Sequence, residues 1–369
     1  MKITTRSQII QYFENLPPDQ IDPSGAVYEY EDRRSCCIGA HLAHLFQVPV
    51  PSEGIAEYLA GADALARWMG GTRAHMIVML QQCGVGNNDP FVRDAWDTPP
   101  DIVFPRLLDR KSLPSLVGAD LRKANLRKAD LRKIDLSEAN LHRADLREAI
   151  LTEAILCGTN LDKVDLYRAD LQDADLHRAN LHQADLYRAN LREADLTQAN
   201  LREAQCKGID LRRAILRDAD LRQANLTEAT LIKADLRQAI LREAILSHAH
   251  LQFADLRRAS LWCADLDHAT LRYADLRRAS LAYAKIEGTN LTRANLEGAT
   301  LTGSLLKEAK LVRADLHKSA LRDANLTDAN LTDATLTKAD LTNATLSRTD
   351  LTGATFTGAI LEGVQGLER

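Results

Sequence analysis

Residues 119–131 read Ala119-Asp120-Leu121-Arg122-Lys123-Ala124-Asn125-Leu126-Arg127-Lys128-Ala129-Asp130-Leu131. The same unit of alanine, aspartate or asparagine, leucine and two variable residues continues without insertion or deletion. From Leu116 to Leu361 it makes fifty consecutive pentads, forty-seven of them centred on leucine, and the exceptions Cys206, Ile286 and Phe356 are apolar too. Two residues before each centre, from Ala119 to Ala359, forty-one of forty-nine positions are alanine. On an α-helix five residues advance about 500°, so successive leucines rotate by about 140° and form no stripe. On a strand an odd period sends successive leucines to opposite faces. What is left is a solenoid, a chain that turns at every pentad, points Leu and Ala at a common axis and sends the other three residues outward. Alanine follows from the narrow interior, which accepts one large side chain per pentad only beside a small one. Asp or Asn before each Leu suits a corner, where a short polar side chain bonds nearby backbone groups.

The runs ADLRKANLRKADL at 119–131 and ADLTNATLSRTDL at 339–351 resemble the pentapeptide-repeat family, over about two thirds of the chain. The resemblance implies a right-handed quadrilateral β-helix with four pentads per coil, hence a mainly β fold. Recurrences twenty residues apart agree with it: Tyr167 and Tyr187, Phe253 and Tyr273, and Arg217, Arg237, Arg257 and Arg277. Stacked at the usual spacing of paired strands, about 4.8 Å, the coils form a rod on the order of 60 Å long.

Outward from the repeat, residues 1–110 read as a small, mainly α-helical domain, 111–115 as a linker, 116–363 as the solenoid and 364–369 as a short tail. A first helix capped by Thr4 or Thr5 ends before Pro17-Pro18, and a second is expected from about Ser35 to Phe46. The composition, 45% hydrophobic and 27% charged, excludes disordered and collagen-like chains. No run of eighteen apolar residues occurs and the start lacks the blocks of a secretion signal, so a cytoplasmic protein without membrane contact is expected. Six cysteines, with Cys36 and Cys37 adjacent, make a poor disulfide framework, and reduced thiols are expected. The net charge of −4 resides in residues 1–115; residues 116–369 carry thirty-seven charges of each sign.

Two kinds of chemistry compete with a purely structural reading. Cys36, Cys37, His41 and His44 fall within one expected helix, where a thiol at a helix start has its thiolate favoured and an imidazole one turn on accepts the proton; the same set suits a metal. Buried small cysteines and histidines packing a helix are the simpler account, so no catalytic residue, metal or cofactor is assigned. Eighteen aspartates precede repeat leucines and are explained by the repeat itself, without acid/base catalysis.

The two residues after each centre are free of the packing constraint and carry the surface information. They include thirty-four Lys or Arg against eighteen Asp or Glu. Arg217, Arg237, Arg257 and Arg277 form one column, which Asp235, Asp255 and Asp275 either neutralise or leave open to an anionic partner. Arg258 and Arg278 lie beside it. Phe253, Trp262, Tyr273 and Tyr283 fall within thirty-one residues, should face solvent with Tyr167 and Tyr187, and mark a candidate contact region. The expected function is a non-enzymatic interaction scaffold, against alternatives of an activity around Cys36, Cys37 and His41 or direct nucleic-acid binding by the arginine ladders. The family resemblance adds DNA topoisomerases as partners, bound by members that present an acidic rod imitating duplex DNA. This sequence departs from that pattern, since its outward pairs are net positive. The nearly uncharged closing stretch, with Phe356 and Leu361 inward and Ile360 beside them, predicts a homodimer through the carboxy-terminal coils.

Overall fold

The computed structural model describes residues 116–366 and two short strands, β1 (Tyr28–Glu29) and β2 (Ser35–Cys36). The strands pair antiparallel, Tyr28 opposite Cys36 and Glu29 opposite Ser35. Ser35 and Cys36 therefore belong to a strand rather than opening the helix expected there. The rest of the helical-domain expectation over 1–110, and the linker, lie outside the described residues.

Between the first and last coils each pentad makes the same backbone bonds. Leu226 N–H donates to the Ile245 carbonyl of the next coil at 2.7 Å, Glu228 N–H to Ser247 at 3.0 Å, and Thr230 N–H to Ile209 of the coil before at 2.9 Å. Ala229 N–H closes the turn on the Leu226 carbonyl at 3.0 Å. The residue before each centre bridges in parallel to its counterpart twenty positions on, from Asp120 with Asn140 through to Thr345 with Gln365. Four pentads therefore make one coil, and the ladder runs two residues into the stretch assigned to the tail.

The corners are the variable pairs. In every pentad the second residue after the centre has positive φ, for example 58° at Arg213, 61° at Phe253 and 65° at Gly303, and the turn carries the bond from Ala to Leu. Positive φ at the third residue alone is the signature of a type II turn. The Asp or Asn is not at the corner, as the sequence suggested, but on the flat side, and its carboxylate or amide oxygen reaches across the leucine. Asn330 Oδ1 accepts from Thr332 N–H at 2.9 Å, and Asp145 Oδ1 from Arg147 N–H at 3.2 Å.

Leu and Ala are inward as expected, with Leu226 and Ala229 both 0% exposed. Where the alanine is replaced by a hydroxyl residue the polar group is satisfied: Thr159 and Thr289 Oγ1 donate to the carbonyls of Leu136 and Leu266, at 2.8 and 2.7 Å. An unbonded buried hydroxyl would have cost about 1–3 kcal/mol. The four sides, numbered in chain order, are centred on Leu116 to Phe356, Leu121 to Leu361, Leu126 to Leu346 and Leu131 to Leu351, each in steps of twenty. Residues ten apart in sequence thus lie on opposite sides.

Candidate interaction surfaces

On the first side the arginine column interlocks with aspartates. Arg237 bonds Asp235 through Nε at 2.8 Å and Nη2 at 2.7 Å, and its Nε lies 3.6 Å from Asp255 in the next coil. Arg257 repeats this with Asp255 at 2.6 Å and Asp275 at 3.5 Å, Arg277 closes on Asp275 at 2.6 Å, and Arg217 reaches Asp235 at 2.5 Å. Burial pushes the Asp235 carboxyl up, but hydrogen bonds from Arg237 and Arg217 outweigh it and hold the group at about 2. The same balance, with Arg277, lowers Asp275. A column of like charges about 4.8 Å apart is repulsive, and the alternating carboxylates remove that penalty. Arg258 and Arg278 stand at the next corner, exposed and without a carboxylate partner among the described residues.

The aromatic residues do not form one cluster. Phe253 and Tyr273 occupy the corner between the fourth and first sides, stacked with ring centroids 5.0 Å apart and planes 1° from parallel. Trp262 and Tyr283 occupy the diagonally opposite corner. The four are not solvent-facing to the same degree: Tyr283 is 57%, Phe253 53% and Tyr273 38% exposed, whereas Trp262 is half-buried with the Arg242 guanidinium 5.0 Å from its ring. Tyr167 and Tyr187 are likewise half-buried, stacked at 5.5 Å, and each carries its neighbouring arginine over the ring. Tyr283 owes its position to Gly303 one coil on, because a Cβ at Gly303 would lie 2.6 Å from Tyr283 Cε1.

At the carboxy-terminal coil the core is uncovered among the described residues. Phe356 is half-buried, Ile360 is 50% and Leu361 41% exposed, in contrast to Leu326 and Leu336 at 0%. Of the proposed thiol and metal set, Cys36 lies in β2, and Cys37, His41 and His44 lie outside the described residues. Cys157, Cys206 and Cys263 are unpaired; Cys206 takes a leucine position, where burial pushes its thiol up to about 12. Sequence reading missed a column in which Asp162 accepts from His142 Nδ1 at 2.8 Å and His182 Nδ1 at 2.7 Å. The twenty-residue spacing of the three was its available signal.

A family model described as pentapeptide repeats matches eight times between residues 115 and 363. Proteins of that description form right-handed quadrilateral β-helices. The chain is similar to HetL of the cyanobacterium Nostoc sp. strain PCC 7120, a pentapeptide repeat protein involved in heterocyst differentiation regulation: 37% identity over 58% of this chain and 88% of that one, TM-score 0.31. A pentapeptide repeat protein of the Arabidopsis thaliana thylakoid lumen is 38% identical over 29% of this chain and 72% of its own, TM-score 0.19. QnrB1, a plasmid-mediated fluoroquinolone resistance protein, is 20% identical over 45% and 90%, TM-score 0.28. No curated protein matches.

Proposed function

We propose that this chain, which belongs to the pentapeptide-repeat family, is a cytoplasmic, non-enzymatic scaffold that presents its solenoid surface to a protein partner. One observation carries the reading: exposed side chains stand in straight columns on an unbroken parallel ladder, with Phe253, Tyr273 and Tyr283 left open to solvent on it. Rows held by backbone bonds lose little conformational freedom when a partner docks, which favours binding without added contacts. The contact region lies on the middle coils, from about Arg212 to Tyr283, and it divides between corners: Phe253 and Tyr273 with Arg257 and Arg277 on the first side, Arg258, Arg278 and Trp262 along the second. DNA topoisomerases are one family-based partner class to assay. Direct nucleic-acid binding by Arg217, Arg237, Arg257 and Arg277 would require their guanidiniums to exchange aspartate for phosphate.

Affinity capture with the full chain tests the proposal. Trp262→Ala should weaken partner recovery with an unchanged melting temperature, and a combined substitution of Trp262, Arg257 and Arg277, which also removes ion pairs to Asp255 and Asp275, should weaken it further. Equal recovery by wild type and the combined variant moves the working surface elsewhere.

A second reading is the homodimer through the carboxy-terminal coils, favoured by the exposed Ile360 and Leu361 on an open apolar end. A twofold pairing covers that edge and closes the assembly. Light scattering at micromolar concentration should give about twice 40.9 kDa, falling after Ile360→Lys. A mass near 41 kDa for the wild type refutes the dimer.

A further inference from the structure

The fourth side differs from the other three in its charge. Its five consecutive pentads 229–233, 249–253, 269–273, 289–293 and 309–313 contain no aspartate or glutamate, but hold Lys233, Arg272, Arg293, Lys310 and Arg313. Arg313 is paired with Asp333 of the next coil at 3.2 Å. Lys233, Arg272, Arg293 and Lys310 are exposed, and no carboxylate among the described residues lies within ion-pair distance of them. The neutralised column of the first side is the contrast: there the repeat supplies an aspartate beside each of Arg237, Arg257 and Arg277, whereas here the bridging positions are Thr230, His250, Thr270, Asn290 and Lys310. The corner of this side also carries the exposed Phe253 and Tyr273 stack, set between Lys233 and Arg293 in one column.

We infer that the fourth side, over the coils from Lys233 to Lys310, is the docking face for an acidic protein segment that carries apolar side chains between its carboxylates. The inference rests on the scaffold reading above and names the partner's chemistry. Five stacked coils at about 4.8 Å give a strip roughly 20 Å long, and an extended segment presents a same-face side chain every ~6.8 Å, enough for two carboxylates with apolar side chains between them on that face. Four unpaired cations supply the charge complementarity, and the aromatic edges supply apolar contact of the kind that anchors interfaces. A single-stranded nucleic acid is the other polyanion to weigh, and it gains most from stacking its bases on open ring faces. All but the Phe253 face toward Lys233 are occupied. Phe253 and Tyr273 cover one another, the guanidiniums of Arg293 and Arg272 lie 5.6 and 5.8 Å from the Tyr273 ring, and Arg293 Nη1 donates to the Tyr273 hydroxyl at 3.2 Å. The rings offer edges, which suit aliphatic side chains.

The test uses the full chain and a fluorescent peptide of Glu-Ser-Leu-Ser repeats, which puts glutamate and leucine on one face of an extended segment, read by anisotropy at low and moderate salt. A peptide of Glu-Ser-Ser-Ser repeats and a thymidine oligonucleotide of equal charge serve as competing probes. The wild type should bind the glutamate–leucine peptide most tightly and lose affinity as salt rises. Reversing Lys233, Arg272, Arg293 and Lys310 to Glu should weaken binding by about tenfold or more, while the same reversal at Arg143, Lys163, Lys318 and Lys338, on the first and second sides, should change it by less than about threefold. Phe253→Ala with Tyr273→Ala should weaken the leucine peptide and leave the serine peptide unchanged. All positions are exposed corners or bridges, and the glutamine versions of the four cations provide a milder set should a reversal fail to fold by circular dichroism. Tighter binding of the oligonucleotide, equal losses from the two reversals, or no peptide binding overturns the inference. Partner capture that still depends on Trp262 in that event leaves the scaffold reading standing; loss of both removes both.

Discussion

Replacing Leu226 by aspartate should break the rod around the middle coils, while the same replacement at Leu361 should be mild. Leu226 is 0% exposed, and the centres above and below it in its column, Cys206 and Leu246, are also 0% exposed. Truncation to alanine alone at such a site costs about 2–5 kcal/mol through lost transfer energy and the residual cavity. An aspartate adds several kcal/mol more, because a carboxyl in an apolar interior has to be protonated or left unpaired. The total approaches the 5–15 kcal/mol that stabilises a typical domain. Leu361 is 41% exposed in the last coil, so its aspartate stays solvated and the cost should fall to about 1 kcal/mol. Since coils contact only their neighbours, the damage at 226 should spread outward from that coil rather than scatter. Thermal melting by circular dichroism measures the first effect. Hydrogen exchange measures the second: the amides of Leu221 and Leu231, which donate to Ile240 and His250, should lose protection well before those of Leu321 and Leu331. Unchanged melting of Leu226→Asp, or equal destabilisation by Leu226→Asp and Leu361→Asp, refutes the inward assignment and the open end respectively.

Gly303→Ala should destabilise by about 1–3 kcal/mol, because φ is 65° and the Tyr283 ring must move; in Tyr283→Ala the steric part of that loss should vanish, so a double-mutant cycle that shows no coupling rejects the contact. Asp235 titrates at about 2 in the fold against ~3.9 in an unfolded chain, so its stabilisation is present above pH ~4 and is lost as pH falls toward 2. Arg237→Ala with Arg217→Ala should flatten that part of the melting-temperature profile, by about 1 kcal/mol after solvent screening, and identical acid slopes in wild type and variant count against the ladder. Thr332→Ala removes a half-buried hydroxyl that lies between Asn330 and Asp350, and should shift stability by about 1 kcal/mol or less in the same melts.

The inward positions were legible because a steric rule with a fixed period leaves no alternative for Leu and Ala. The turn was less so: nothing in Arg213, Phe253 or Lys338 announces a positive φ, since most of these corners are not glycine and the ladder imposes the conformation on whatever residue stands there. The asparagine or aspartate was read as the corner because such residues favour turns when alone. In the coil it serves the corner from one side, through a bond to the N–H two residues on. Cys36 illustrates a different limit, since its helix assignment rested on capping and local periodicity, and pairing with Tyr28, eight residues back, competes with both.

Surface function had to be read at a period of twenty, and errors arose where sequence proximity was used instead. Phe253 and Trp262 are nine residues apart and stand on opposite corners, while Phe253 and Tyr273 are twenty apart and touch. Charge counts fail for the same reason. A surplus of sixteen cations over the outward pairs says nothing until each is placed beside its bridging residue, and then the dense arginine column proves neutralised by Asp235, Asp255 and Asp275. The fourth side has fewer arginines in line and more unpaired charge: Thr270 stands where an aspartate would hold Arg272, and Lys233 and Arg293 sit one place further along, where Arg258 and Arg278 are also left unpaired. In a solenoid the residue at the bridge therefore decides whether the cation two places after it is structural or available, and the bridge column is where partner specificity in this chain should be sought.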